Sequence, residues 1–252
     1  MRDRWKTVRR VWSATAITAV IAFVAWSVLA TRGLGVDPAV LESSARVAVI
    51  VERGAIRFQP ALRVSAGLVF FPGALVDPRV YAPLAHAIAE KGFPVAIVRT
   101  TLWNALLGLD QGAMQGRALA VIAADQRTHW SVGGHAQGAL LAARLADTNA
   151  NWIHGLVLIG STAPRDIDLA DLALPVLKVF ATNDGIAPPD RVRESAARLP
   201  EATAWVEIAG GNHAQFGWYG PQLGDHAATI SRGEQQRRTR DALVAFLAAI
   251  PD

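Results

Sequence analysis

"HWSVGGHAQGALLAARLA", residues 129–146, is the stretch on which the fold turns. Residues 129–134 read as a buried strand and residues 137–147 as a helix, so the chain reverses sharply between them. Gly134-His135-Ala136-Gln137-Gly138 has the spacing of the G-x-S-x-G turn that presents a serine nucleophile, with alanine in the middle. Such a turn demands small residues two before and two after its centre, and Gly134 and Gly138 meet that demand. Ala139, Ala142, Ala143 and Ala146 then give the helix a small face for close approach to a sheet. Taken alone, glycines at a strand–helix turn serve close packing as often as catalysis, so the flanking sequence must decide.

That sequence alternates apolar, β-branched runs with helix-like stretches. Residues 46–51 and 55–59 predict a hairpin about Glu52-Arg53-Gly54, and "AGLVFF" (66–71) a strand covered on both faces. Asp77-Pro78 supplies an N-cap and a first-turn proline, and Gly92 ends the helix that follows. Further strands are expected at 94–98, 155–160, 175–181 and 204–210, with helices at 112–125 and near 189–199. Ser231-Arg232-Gly233-Glu234 fits a capping box opening a final helix whose Leu243, Val244, Phe246 and Leu247 dock on the sheet. This order predicts an α/β fold: a mostly parallel sheet with helices on both faces and an antiparallel start at one edge.

In such a sheet, functional residues gather at the carboxyl ends of the strands. Asp184 follows one strand in "FATNDGIAPP" (180–189), and His213 follows the last in the glycine-rich "AGGNHAQFGWYG" (209–220). Asp184 also fits a plain Asn-Asp-Gly turn and His213 a solvated loop. Asp166, Asp168 and His226 are weaker rivals, and His135 shapes the turn. Jointly, an elbow, then Asp, then His reproduces the Ser…Asp…His chain order of α/β-hydrolases. The backbone N–H groups of Gln137 and Ala74, the latter in "PGA" (72–74), are candidates for an oxyanion hole. Trp103 and Leu106 in "TTLWNALLGL" (100–109), with Trp218 and Tyr219, are candidates for a substrate pocket. The short segment between the strands at 155–160 and 175–181 leaves no room for a large lid domain.

The stretches "GLVFFPGALVDPRVYAPLAHAIAEKGFPVAIV", "GGHAQGALLAARLA", "LKVFATNDGIAPPD" and "EIAGGNHAQFGWYGPQLGDHAATISRGEQQ" resemble the α/β-hydrolase fold-5 family, a dienelactone-hydrolase-like branch of the α/β-hydrolases. The resemblance runs from about residue 66 to 250 and is most specific around His213. It implies a carboxylic-ester hydrolase with His213 as general base, Asp184 as its partner and position 136 as nucleophile. It implies no cofactor. The departure is at position 136, where the family carries serine.

Alanine has no lone pair to attack a carbonyl and no proton to surrender. Loss of such a serine lowers kcat by about 10⁶. Ser131 sits on the strand and cannot substitute, and no Asp or Cys replaces the nucleophile. The intact partners favour an engineered Ser→Ala change over natural loss. The competing reading is a membrane-tethered, non-catalytic protein that binds a small molecule or a partner in the vacated pocket. Dinucleotide binding lacks G-x-G-x-x-G after the first strand.

Composition narrows the classes further. The chain has 252 residues and no cysteine, which excludes disulfides and a thiol nucleophile. No metal-ligand cluster is legible. Its formal charge of +4 resides entirely in residues 1–10, so the remainder offers no basic excess for a nucleic acid. Residues 11–30, "VWSATAITAVIAFVAWSVLA", are uncharged, and a helix of about 20 residues spans a bilayer core. The run exceeds the apolar core of an ordinary signal peptide. A retained signal-anchor is therefore expected, with residues 1–10 cytoplasmic, Trp12 and Trp26 at the interfaces, 31–44 as spacer and 45–252 as an extracytoplasmic hydrolase domain. Cleavage near Ala30 is the alternative and gives a secreted domain.

Overall fold

The computed structural model describes residue 5 and residues 9–18, 36–100 and 111–251. Eight strands form one sheet: β1 (Val47–Val51), β2 (Ala55–Pro60), β3 (Ala66–Phe71), β4 (Val95–Val98), β5 (His129–His135), β6 (Gly155–Ile159), β7 (Val176–Ala181) and β8 (Ala204–Ile208). Their order is β1-β2-β4-β3-β5-β6-β7-β8. β2 runs antiparallel to both neighbours and the other pairings are parallel. The hairpin lies at one edge, and its tight turn makes β1 and β2 antiparallel.

Period-two alternation divides the apolar side chains between the two faces of the sheet. Leu68 and Phe70 of β3, Val95 and Ile97 of β4, and Val157 and Ile159 of β6 point to one side. There they meet α1 (Ala82–Ala89) and the last helix, α5 (Arg232–Ala248), through Leu84, Ile88, Leu243 and Leu247. Val69, Phe71, Ala96, Val98, Leu156 and Leu158 point to the other. There they meet α2 (Gln111–Ala124) and α3 (Gln137–Thr148), the latter through Ala139, Ala142, Ala143 and Ala146, its alanine face. Both faces of the central strands are thus covered, which is why those strands read as continuous apolar runs.

The local signals act as their chemistry dictates. Asp77 accepts a hydrogen bond from Arg79 N–H at 2.9 Å, although the turn it caps (Pro78–Tyr81) is a 3₁₀ turn leading into α1. Ser231 accepts from Glu234 N–H at 3.2 Å, while the Glu234 carboxylate pairs with Arg237 and Arg238, so only half of a capping box forms. The helix expected near 189–199 breaks into α4 (Pro189–Glu194) and a 3₁₀ turn (Ser195–Arg198). Part of the expected spacer is docked: Pro38–Leu41 form a 3₁₀ turn capped by Asp37, and Val40 and Leu41 pack on the core.

Residues 9–18 are helical and exposed. No helix of the described residues is long and apolar enough to cross a membrane. The expected anchor at 11–30 falls largely outside the described residues, as do Trp103 and Leu106.

Lys178 sits in the middle of β7 and is wholly buried, with Nζ donating to the Ala163 carbonyl. Burial, with a smaller contribution from Arg165, pushes its pKa down to about 7. The folded chain therefore releases this proton near pH 7, whereas the unfolded chain keeps it until about pH 10.5. Between those values the unfolded state binds more protons, so Lys178 makes stability rise with pH, by up to ~1.4 kcal/mol per unit. Urea unfolding of the chain and of Lys178→Met at pH 6, 7.5 and 9 should show the variant gaining relative stability at low pH. Parallel profiles for the two proteins would refute a buried, proton-releasing lysine.

Candidate active site

The turn between β5 and α3 is the tightest feature of the site. A Cβ on Gly134 would stand 2.3 Å from the Gly138 carbonyl carbon, and one on Gly138 only 2.2 Å from the Phe71 carbonyl oxygen. No side chain fits at either position, because the first turn of α3 lies directly on β3 and β5. Ala136 is the residue that absorbs the reversal, with φ 53° and ψ −116°. Its N–H donates to the Ile159 carbonyl at 3.0 Å, which fixes the turn to β6. A non-glycine residue at positive φ costs about 1–3 kcal/mol. Among the described residues Leu75 (φ 61°) is the other one, in the loop after β3. Both strained positions are at the carboxyl end of the sheet.

Asp184 follows β7 and His213 follows β8. Asp184 Oδ2 lies 2.8 Å from His213 Nδ1, and both side chains are buried. The other carboxylate oxygen accepts from the N–H groups of Ile186 (2.9 Å) and Ala187 (2.6 Å), so the carboxylate is fully engaged. With Nδ1–H given to Asp184, the lone pair of His213 sits on Nε2. A cavity of about 220 Å³ is lined by His213, Ala136, Gln137, Ala74 and Tyr219, among others. The elbow, the buried pair and both candidate oxyanion donors therefore converge on one space.

Two groups absent from the expectations hold this arrangement. The Asp225 carboxylate accepts from the N–H of Gly185 (3.2 Å), His213 (3.2 Å), Ala214 (2.9 Å) and His226 (3.0 Å). It clasps the Asp184 loop to the His213 loop. The "GD" of the C-terminal stretch was the signal for it, since a lone aspartate between turn residues has few other tasks. Tyr81 is the second: its hydroxyl accepts from Gly73 N–H at 3.1 Å and lies 2.8 Å from His135 Nδ1. This hydrogen bond between the phenol and His135 ties the loop of Ala74 to the elbow. Burial, and secondarily His213, hold the His135 pKa well below the usual imidazole value, so that ring stays neutral. Its centroid is 4.4 Å from that of His213.

The rivals resolve plainly. Asp166 pairs with Arg144 on the surface, Asp168 caps Ala170 N–H, and the His226 side chain is exposed. Ser131 is fully buried near the start of β5, remote from the elbow. Trp218 requires a correction. It does not line the cavity: its backbone N–H donates to the Val80 carbonyl, and its ring packs on the core beneath the Arg232 guanidinium. Neighbouring Tyr219 lines the cavity. Among the described residues no group of three His, Asp or Glu side chains could hold a metal ion.

This sheet order, with a strained elbow after β5 and a His–Asp pair after β8 and β7, defines an α/β-hydrolase. The chain belongs to the alpha/beta hydrolase family, whose model matches residues 67–237. Among solved structures it resembles a ferulic acid esterase from Streptomyces cinnamoneus (TM-score 0.60, 19% identity, 75% of this chain and 68% of that one). It also resembles a dienelactone hydrolase from Anabaena variabilis (TM-score 0.58, 14% identity, 80% and 97%). A third likeness is an alpha-beta serine hydrolase homologue from Coxiella burnetii (TM-score 0.57, 15% identity, 81% and 98%). Comparison with curated proteins finds no match. At these identities the likenesses carry the fold alone.

Tyr81→Phe would leave buried Gly73 N–H and His135 Nδ1 without their partner. Each such loss costs about 1–3 kcal/mol, so chemical denaturation should show a destabilisation of at least that size. A variant as stable as the parent would mean that the Gly73–Tyr81–His135 chain bears no load.

Proposed function

We propose that the domain is a carboxylic-ester hydrolase scaffold of the Ser-Asp-His type, with Ala136 at the nucleophile position. The observation that carries this reading is the buried His213–Asp184 pair facing a strained position 136 across one cavity. With serine there, Oγ attacks the ester carbonyl carbon while His213 Nε2 takes its proton. The N–H groups of Gln137 and Ala74 hold the resulting oxyanion. Collapse expels the alcohol, which receives the proton from His213, and leaves an acyl-enzyme. Water then repeats the sequence, attacking as His213 removes its proton, and frees the acid. Asp184 keeps His213 in the required tautomer and stabilises its protonated form.

As it stands, position 136 carries no attacking oxygen. The partners, the clasp and the backbone strain are nevertheless complete, which favours replacement of a serine, engineered in our reading, over long natural drift. The second reading, a binding protein without catalysis, draws on the same absence: the cavity persists without its nucleophile.

Ala136→Ser should hydrolyse short p-nitrophenyl esters and react with a fluorophosphonate probe. Adding His213→Ala should lower that turnover by about 10⁴–10⁶-fold. A serine variant that neither turns over nor labels sinks the ester-hydrolase reading and leaves the binding protein.

The same reading holds the domain outside a membrane by residues 11–30. In support, Trp12 (73%) and Ile17 (59%) are exposed rather than packed on the domain, and the segment is uncharged beside a basic flank. The full chain expressed in bacteria should sediment with membranes and resist carbonate extraction, and deletion of residues 1–35 should release it. A full-length chain left in the supernatant would remove the tether.

A further inference from the structure

Beside the reaction cavity lies a second, larger one, of about 440 Å³. The two share a wall formed by Thr162, Arg165 and Ile186. One side of the groove is the loop after β6; the other is α4 with the 3₁₀ turn that follows. The sides are tied together, since Leu169 N–H donates to the Arg198 carbonyl at 3.0 Å. The groove is therefore a built concavity and continues the space in which a carbonyl would react.

Its charge is one-sided. Arg165, Arg191 and Arg198 line it with a single carboxylate, Glu194, and Glu194 is taken by Arg191 at 3.0 Å. Neighbouring acids face other partners: Asp166 pairs with Arg144, Asp168 caps Ala170 N–H, and Asp190 pairs with Arg193. Among the described residues, neither Arg165 nor Arg198 forms an ion pair. Arg165 is also oriented, because its Nε–H donates to Thr162 Oγ1 at 2.6 Å and leaves the terminal N–H groups of the fork available. Two guanidinium groups that pair with no carboxylate, in a groove opening on the reaction cavity, form a receptor for an anion; the Asp166 charge acts on Arg165 but is paired with Arg144. We infer that the site takes an ester with one anionic arm, a carboxylate or a phosphate-type group, seated between Arg165 and Arg198 while the ester reaches position 136.

This inference rests on the hydrolase reading of the cavity, and two measurements keep their failures apart. The first uses Ala136→Ser with a matched pair, mono-4-nitrophenyl glutarate and 4-nitrophenyl butyrate. At low salt the anionic ester should show a kcat/KM at least tenfold above the neutral one. Arg165→Gln and Arg198→Gln should each lower that ratio about tenfold, and raised salt should lower it as well. A ratio near one, or one indifferent to both variants, overturns the anion groove while the hydrolase survives. The second uses the chain with Ala136, which cannot turn a ligand over. Calorimetric titration with monobenzyl glutarate and with benzyl 3-phosphonopropanoate should give binding that dibenzyl glutarate does not. The tighter of the two identifies the anion, and Arg165→Gln or Arg198→Gln should weaken it at least tenfold. If Ala136→Ser proves inert, this titration still decides: no binding of either anion, or binding unchanged by both variants, rejects the groove.

Discussion

The structure depends on how closely the first turn of α3 approaches β3. Gly138 lies against the Phe71 and Pro72 carbonyls, and Gly134 lies against Gly138 itself, at separations no side chain tolerates. That contact drives the strand-to-helix reversal into a single residue, and Ala136 takes it up at positive φ. The alanine face of α3 continues the same constraint along the helix, with Ala139, Ala142, Ala143 and Ala146 all buried. Larger residues there would lift the helix from the sheet and relax the elbow. Packing and site geometry are in this sense one interaction.

The remaining site parts arrive by a different route. β7 and β8 end at the same edge, so their following loops are neighbours without any sequence proximity. The Asp184–His213 contact is worth little in isolation, because burying a carboxylate costs what one hydrogen bond returns. What secures it is saturation: Asp184 accepts two further N–H bonds, and Asp225 gathers four backbone donors from both loops. Such a network is rigid only if every member is satisfied. The clasp is therefore as necessary to the site as the pair itself.

Much of this was legible in the chain. The central strands β3, β4, β6 and β7 were marked by near-continuous apolar runs, since burial on both faces leaves few alternatives. The elbow, Asp184 and His213 were marked by glycines and by position after strands. Asp225 and Tyr81 escaped because their work is done through backbone N–H groups and a neighbouring imidazole, contacts that leave no periodic trace. Trp218 differs because adjacency to His213 in sequence says nothing about which way a ring faces; its ring packs on the core. Lys178 went unremarked inside "VLKVFA", where five apolar neighbours hid a cation that folding must dehydrate.

Ala136 is where these threads meet. Positive φ at a non-glycine position is a standing cost of about 1–3 kcal/mol, tolerated where surrounding structure over-determines it. Glycine would relieve that strain at once, and a binding protein with no use for the turn gains nothing by keeping it. The helix and sheet contacts enforce the geometry whatever occupies position 136, which explains why it persists with alanine. They do not explain the completeness of the rest: a buried histidine held in one tautomer, a carboxylate saturated behind it, and a second strained residue, Leu75, in the loop that presents Ala74. In the ester hydrolase we propose, those features would serve proton transfer and oxyanion binding, and neither would have a use there without an attacking oxygen. The economy of the site therefore argues for a hydroxyl at position 136.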